Sequence, residues 1–328
     1  MPLLRHARGQ ARGYRAHTPT NRCSPMLKPL LRGVALSLVT SAALAAAPDA
    51  HLQAALQKVA DQARPGTLGV LVMDPAAGQS VSVNAGRPYL MMSVFKAPIA
   101  AAVLSQVGAG TLTLDRTVHL GPADVVDGSA VPSVGASLKA GPRDVSVDEL
   151  LHAAVTQSDN TAVDALLRLL GGSPVATRFL ASKGVQGIRI DMGEGELARL
   201  FDTKGADAVL ASHVDSSTLE GAGAFLRKLQ AGELLSAGST QKLLGMMSAQ
   251  VIPNRIRGGL PAGYQLADKT GTSGTRDGRM AAFNDIGIIT APNGQKRVVV
   301  VFLANARATP EQATKWFAEI GRLTAASM

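Results

Sequence analysis

Cysteine is almost missing from this chain. The one thiol, Cys23, falls in an N-terminal stretch that reads as removed. The mature protein then has no disulfide and no cysteine metal site, and it is spared mispairing in an oxidising compartment. Histidine is sparse too: His6, His17, His51, His119, His152 and His213 are scattered, and none forms a ligand spacing such as His-Glu-x-x-His. No metal and no cofactor is expected. A phosphate-cradling glycine loop and a regular strand–helix alternation are both lacking, which disfavours a doubly wound nucleotide-binding fold. There is no internal repeat and no low-complexity linker. Acidic residues are absent from residues 1–47, where seven basic ones stand (Arg5, Arg8, Arg12, Arg15, Arg22, Lys28, Arg32). Taking these seven from the 33 Lys and Arg leaves 26 against 24 Asp and Glu. The formal charge of +9 therefore belongs to this segment and does not argue for a nucleic-acid or membrane partner.

What is present at the N-terminus is a secretory signal pattern. Lys28 and Arg32 precede an apolar and small-residue run, Gly33–Leu44, and Ala45-Ala46-Ala47 offers small residues for cleavage. The run is too short for a permanent membrane span. Met26 is a plausible true start, and Pro48 places the cut within a few residues of Ala47. The expectation is an exported, periplasmic, monomeric protein with no membrane attachment after cleavage. The whole chain, 328 residues with 46% hydrophobic and 17% charged content, suits one large domain or two intimately packed ones.

Hydrophobic periodicity predicts a helix over Asp49–Ala63 and a hairpin of strands Thr67–Met73 and Gln79–Asn84. Helical patterns follow at Val94–Val107, Val147–Thr156, Thr161–Leu170, Pro174–Lys183, Leu219–Ala231 and Ser239–Ser248. Strand signals return at Tyr264–Lys269, Ala281–Ile289 and Arg297–Ala304, before a last helix from Pro310 to Thr324. Strands at both ends around a helical middle imply one antiparallel sheet built by both termini, an α+β class. The corresponding division is 48–88 plus 250–328 as an α/β domain and 89–249 as an all-helical domain, after the segment 1–47.

Three short strings carry chemistry. In Ser93-Val94-Phe95-Lys96 a hydroxyl stands at a helix start with an amine one turn on, on the same face. A helix N-terminus favours negative charge developing nearby, and a serine needs a base before it is a good nucleophile. Alone, Ser-x-x-Lys also describes a capping serine and a solvated lysine. The apolar run Ala97–Leu104 favours burial, since a helix apolar all round is buried. In Ser158-Asp159-Asn160 all three residue types are good caps; Asp159 reads as structural, while Ser158 offers a proton shuttle and Asn160 an amide for substrate. In Lys269-Thr270-Gly271-Thr272 a strand presents a cation and hydroxyls suited to a carboxylate, and Gly271 removes a side chain where substrate approaches the edge.

The ordered set resembles the penicillin-recognising serine enzymes, and most closely the class A β-lactamases. Arg255-Ile256-Arg257-Gly258-Gly259-Leu260-Pro261 and Asn284-Asp285-Ile286-Gly287 strengthen the likeness. The resemblance implies an antiparallel sheet with flanking helices against a helical domain, with the site between them. It implies that a β-lactam acylates Ser93 and that backbone N–H groups of Ser93 and Thr272 form the oxyanion hole. Lys96, Ser158 and Lys269 would handle protons and charge. Asn160 would hold the substrate amide, and Thr270, Gly271, Thr272 and Arg255 the rest of the substrate, with Arg276 and Arg279 as alternative cations.

Turnover requires a base for the deacylating water. Glu194 lies 36 residues after Ser158, the separation the resemblance implies, and Glu196 is the alternative. Around it the chain departs from the usual family pattern: Gly195 replaces a proline, Ala198 a water-sharing asparagine, and Met192 an arginine that pairs with an aspartate represented here by Asp215. The segment to Asp215 is longer than usual, and Gly128 stands where an aromatic wall is common. The expectation is hydrolysis of penicillins and cephalosporins. The alternatives are a peptidoglycan DD-peptidase or a penicillin-binding sensor, neither of which needs Glu194.

Overall fold

A computed structural model describes residues 49–252 and 255–328, so the targeting segment, Met26 and Cys23 lie outside the described residues. In chain order the elements are α1 (Ala50–Asp61), β1 (Thr67–Met73), β2 (Ser80–Val83), β3 (Tyr89–Leu90), α2 (Lys96–Gly108), β4 (Thr117–Leu120), α3 (Ser133–Leu138), β5 (Arg143–Ser146), α4 (Val147–Thr156) and α5 (Asn160–Leu170). There follow α6 (Ser173–Ser182), α7 (Glu194–Ser212), β6 (Ser216–Ser217), α8 (Leu219–Gln230), α9 (Ala237–Ser248), β7 (Gln265–Thr272), β8 (Thr275–Arg276), β9 (Arg279–Thr290), β10 (Lys296–Ala306) and α10 (Pro310–Ala326).

The main sheet has the order β2-β1-β10-β9-β7, antiparallel throughout, with β8 paired to β9. Both chain ends build it, as the α+β reading requires. β10 shows why its sequence is an unbroken apolar run. Val298, Val300 and Phe302 face one core with α2 and α8, while Val299, Val301 and Leu303 face another with α1 and α10. Alternate side chains of a strand point to opposite faces, and here both faces are covered. Each such side chain contributes roughly 1.5–3 kcal/mol on full burial.

α2 is buried on all sides from Lys96 to Leu104, the central helix that its composition predicts. It carries Lys96 into the interior, and a 3₁₀ turn, Met92–Phe95, leads into it with Ser93 on the turn. The strands β3, β4, β5 and β6 fall in residues 89–249, a stretch read from sequence as helical throughout. They are two to four residues long and pair locally, β3 with β6 and β4 with β5, too short to show an alternation.

The largest difference from the sequence reading is α7. Residues 194–212, given no element in the sequence reading, are helical and interrupted by a kink at Gly205 (φ 77°). Two short helical pieces out of phase give no continuous apolar stripe, which hid them. Leu197, Phe201 and Val209 nevertheless bury against Leu90, Met92, Ala281 and Ala282 in a small core of their own. On the outside Arg276 pairs with Asp202 at 2.9 Å and Arg279 with Asp207 at 2.6 Å. Those two arginines, considered above as substrate cations, therefore brace α7.

Candidate active site

Lys96, buried at the start of α2, is the hub. Its Nζ donates to Ser93 Oγ at 2.8 Å, to Ser158 O at 2.8 Å, to Ser158 Oγ at 3.3 Å and to Asn160 Oδ1 at 2.6 Å, and lies 3.0 Å from Glu194 Oε1. An ammonium has donors only. Ser93 Oγ therefore accepts from Lys96 and gives its own proton to Glu194 Oε1, 2.8 Å away. From the other side Lys269 Nζ donates to Ser158 Oγ at 3.1 Å and to Thr270 O at 3.0 Å. Ser158 thus bridges two ammonium groups, and Ser93, Lys96, Ser158, Asn160, Glu194 and Lys269 form one hydrogen-bonded cluster. Lys269 is fully buried, and desolvation first, then the charge of Lys96, pushes it down to about 7.

Backbone strain marks the positions that shape this cluster. Met92 (φ 49°) and Ser158 (φ 59°) adopt left-handed conformations without being glycine, the kind of cost that surrounding structure must hold in place. Asp159 anchors the second motif. Its Oδ1 caps α5 at Ala162 N (2.9 Å), and its Oδ2 accepts from Val134 N (2.9 Å) and Gly135 N (3.3 Å). That is the structural role read from the sequence. Asn160 Nδ2 donates to Asp127 O at 2.8 Å, next to Gly128.

Gly271 has close neighbours within the chain itself. A Cβ there meets Met91 O at 2.4 Å, Val94 N at 3.1 Å and Ser93 N at 3.2 Å. The missing side chain makes room for the protein's own Ser93 turn, which lies flat against β7. Asn284, opposite Gly271 on β9, pins that turn by donating to Leu90 O (2.8 Å) and Met91 O (3.0 Å). Arg255 lies under the strand end, stacked 3.8 Å from the Phe283 ring centre. It donates to Gly271 O at 2.9 Å, and to Asn284 O and Thr272 Oγ1. Burial lowers it to about 10 against the opposing pull of Asp285 and Asp268, so it keeps its charge at neutral pH.

Of the two carboxylates considered, Glu194 is buried at the cluster and Glu196 is exposed. Asp164, missed in the sequence, decides this. Gly193 supplies no side-chain cap to α7. Asp164, reaching across from α5, accepts from Glu194 N at 2.7 Å and Gly195 N at 3.0 Å. Its spacing of four from Asn160 places both on one face of α5. Gly195 now has a reason: a proline has no N–H to give Asp164, and a Cβ at 193 lies 2.5 Å from Asp164 Oδ1. Ala198 is exposed on α7 and offers no hydrogen bond.

A serine hydroxyl held between a buried lysine and a buried glutamate, with a second lysine across a bridging serine, defines a serine acyl-transfer enzyme. The comparisons narrow this. The family model described as the beta-lactamase enzyme family matches residues 51–328. The chain is 29% identical over 264 residues to β-lactamase VEB-1 of Pseudomonas aeruginosa, covering 80% of this chain and 86% of that one. Among solved structures, a β-lactamase from Chitinophaga pinensis superposes with a TM-score of 0.78 at 30% identity, over 84% of this chain and 99% of that one. The extended-spectrum β-lactamase TLA-3 gives 0.78 at 28% identity, over 84% and 98%. An ancestral class A β-lactamase (GNCA) gives 0.74 at 34% identity, over 84% and 100%. The chain belongs to the beta-lactamase enzyme family, as a class A serine β-lactamase.

Proposed function

We propose that Ser93 opens the lactam amide of penicillins and cephalosporins and that Glu194 directs water at the resulting ester. The observation that carries the reading is the Ser93 Oγ to Glu194 Oε1 hydrogen bond at 2.8 Å, with Lys96 touching both. Glu194 takes the hydroxyl proton as Ser93 attacks the lactam carbonyl carbon. The carbonyl oxygen, gaining charge, is received by the N–H groups of Ser93 and Thr272, which the close fit of Gly271 brings together. Ser158, between Lys96 and Lys269, passes its proton to the lactam nitrogen as the bond to carbon breaks and is reprotonated by Lys96, which takes up the proton held by Glu194 and leaves it a carboxylate again. Glu194 then deprotonates water for attack on the ester, and Ser93 leaves as the hydroxyl. With Ala198 exposed, water activation rests on Glu194. Asn160 receives the side-chain amide. Lys269, Thr270 and Thr272 receive the carboxylate, and Arg255 contributes by orienting the Thr272 hydroxyl and adding buried positive charge.

The test is burst and steady-state hydrolysis of nitrocefin by the purified protein, run beside release of D-alanine from a D-Ala-D-Ala peptide. Sustained nitrocefin turnover with little D-alanine release supports the reading. A stoichiometric burst followed by arrest, or D-alanine as the faster product, overturns it. We propose further that the protein works as an exported periplasmic monomer; among the described residues no helix is long and apolar enough to cross a membrane.

Lys269 makes substrate binding depend on pH. Its ammonium is neutralised as pH rises through about 7, and a charge-assisted hydrogen bond to the substrate carboxylate is lost with it. KM is expected to rise about tenfold between pH 6 and 8.5, with kcat changing less. Lys269→Arg, which stays charged, should flatten the KM profile. A KM independent of pH in the wild type would count against the assignment.

A further inference from the structure

The Glu194 segment joins the rest of the protein through a neck formed by residues 189–192 and 213–216. Two aspartates stitch it. Asp215 Oδ1 accepts from Asp191 N at 2.7 Å and Met192 N at 3.2 Å, and Asp191 Oδ2 accepts from Asp215 N at 2.9 Å. Met91 N donates to Asp215 O at 2.9 Å, so the same residue ties the neck to the turn bearing Ser93. Asp215 is completely buried, and among the described residues its Oδ2 has no hydrogen-bond partner. The charged groups facing it are Asp191 and Arg189 on the opposite side of the neck and Glu194 at the start of α7, with His213 exposed at the end of α7. Arg189 is already paired with Asp191 at 2.7 Å, and Glu194 with Lys96. Met192 brings no charge. Among the described residues no cation remains for Asp215.

We infer that a proton stands where a cation would: Asp215 is a neutral carboxylic acid in the folded protein, and in that form is the positioning residue that clasps the neck of the Glu194 segment. A buried carboxylate with one oxygen uncompensated costs much more than a buried neutral carboxyl. Burial is the main cause that pushes Asp215 up to about 7, with the charges of Asp191 and Glu194 adding to it and the two N–H donors opposing. Ionisation places an unpaired charge inside the neck and loosens the hold on Glu194. The consequence for turnover rests on the reading of Glu194 as the deacylating base.

Asp215→Asn imitates the neutral acid, since its side-chain oxygen still accepts both N–H groups and it never ionises. Deacylation in the wild type is expected to fall about fivefold from pH 6 to 8.5, and to stay level in the variant. Because the folded carboxyl lies above its ordinary 3.8, its stabilisation is complete below that value and is lost as pH rises through about 7. The Tm difference between variant and wild type should therefore widen in the variant's favour from pH 4 to 8. An infrared difference spectrum, wild type minus Asp215→Asn at pH 6, should show a protonated carboxyl band that fades by pH 8.5. Met192→Arg, which supplies the cation, should remove that band at pH 6. No band together with a constant Tm difference overturns the proposal. Normal turnover by Glu194→Ala would overturn the reading of Glu194 alone, because the infrared measurement does not depend on activity.

Discussion

Glu194→Ala is expected to acylate and then stall. Mixed with nitrocefin it should give one equivalent of chromophore, and intact-protein mass spectrometry should show the added mass of the opened lactam on nearly every molecule. Steady-state kcat should fall about 10³-fold, the range for losing a positioned general base. The asymmetry between the two half-reactions comes from geometry. Glu194 Oε1 touches Ser93 Oγ at 2.8 Å, but Lys96 Nζ touches it at the same distance and remains in the variant. Acylation in the variant relies on Lys96 acting as a neutral amine, the form with a lone pair to take the Ser93 proton. Deacylation has no such reserve, because the incoming water must be met by a carboxylate at the α7 terminus, and Ala198 on that helix has no polar group. Normal turnover by this variant would sink the mechanism. Failure of both half-reactions would show that Lys96 does not replace Glu194 in the first.

Gly271→Ala should do comparable damage without touching a reacting atom. Its Cβ would lie 2.4 Å from Met91 O and 3.2 Å from Ser93 N. These are backbone atoms, which no rotamer change can move aside. The turn carrying Ser93 must lift from β7, and the hydrogen bonds that Asn284 makes to Leu90 O and Met91 O stretch with it. Overpacking of this kind costs about 1–3 kcal/mol, read as a lowered urea midpoint. An ångström of displacement at the nucleophile is expected to lower the acylation rate about 100-fold. Gly238→Ala is the control. It lies in α9 with nothing within 4 Å of its Cβ, and should be neutral or slightly stabilising. Wild-type acylation by Gly271→Ala would show that the turn and strand are not coupled.

How legible the molecule was differs from element to element. The pair Ser93 and Lys96 was readable because three residues on a helix is a contact, and the apolar run after it announced a central helix. The run Arg297–Ala304 announced a strand, and the structure added that both its faces are covered. Lys269 and Ser158 stand 111 residues apart, and only the likeness to a family joined them. Gly271 was singled out for a close approach, and the structure shows one made by the chain itself. Asp159 read correctly as a cap. Asp164 did not stand out, because an acid inside a helix pattern looks like a solvated face until a second helix end is placed against it.

The amino-acid sequence by itself determined two of the chemical parts: a hydroxyl with an amine one turn away, and a strand ending in a cation and hydroxyls. These are properties of helical and strand spacing, which short-range sterics dictate. Only the tertiary structure decided which carboxylate meets Ser93, that its segment is a kinked helix, and that the neck aspartate has no cation among the described residues. Those outcomes depend on hydrogen bonds between distant segments: Asp164 on the first turn of α7, Asp191 and Asp215 across the neck, and Arg276 and Arg279 on the outer side of α7. A buried polar group is placed by whichever partner the fold brings to it, and no local pattern announces that partner.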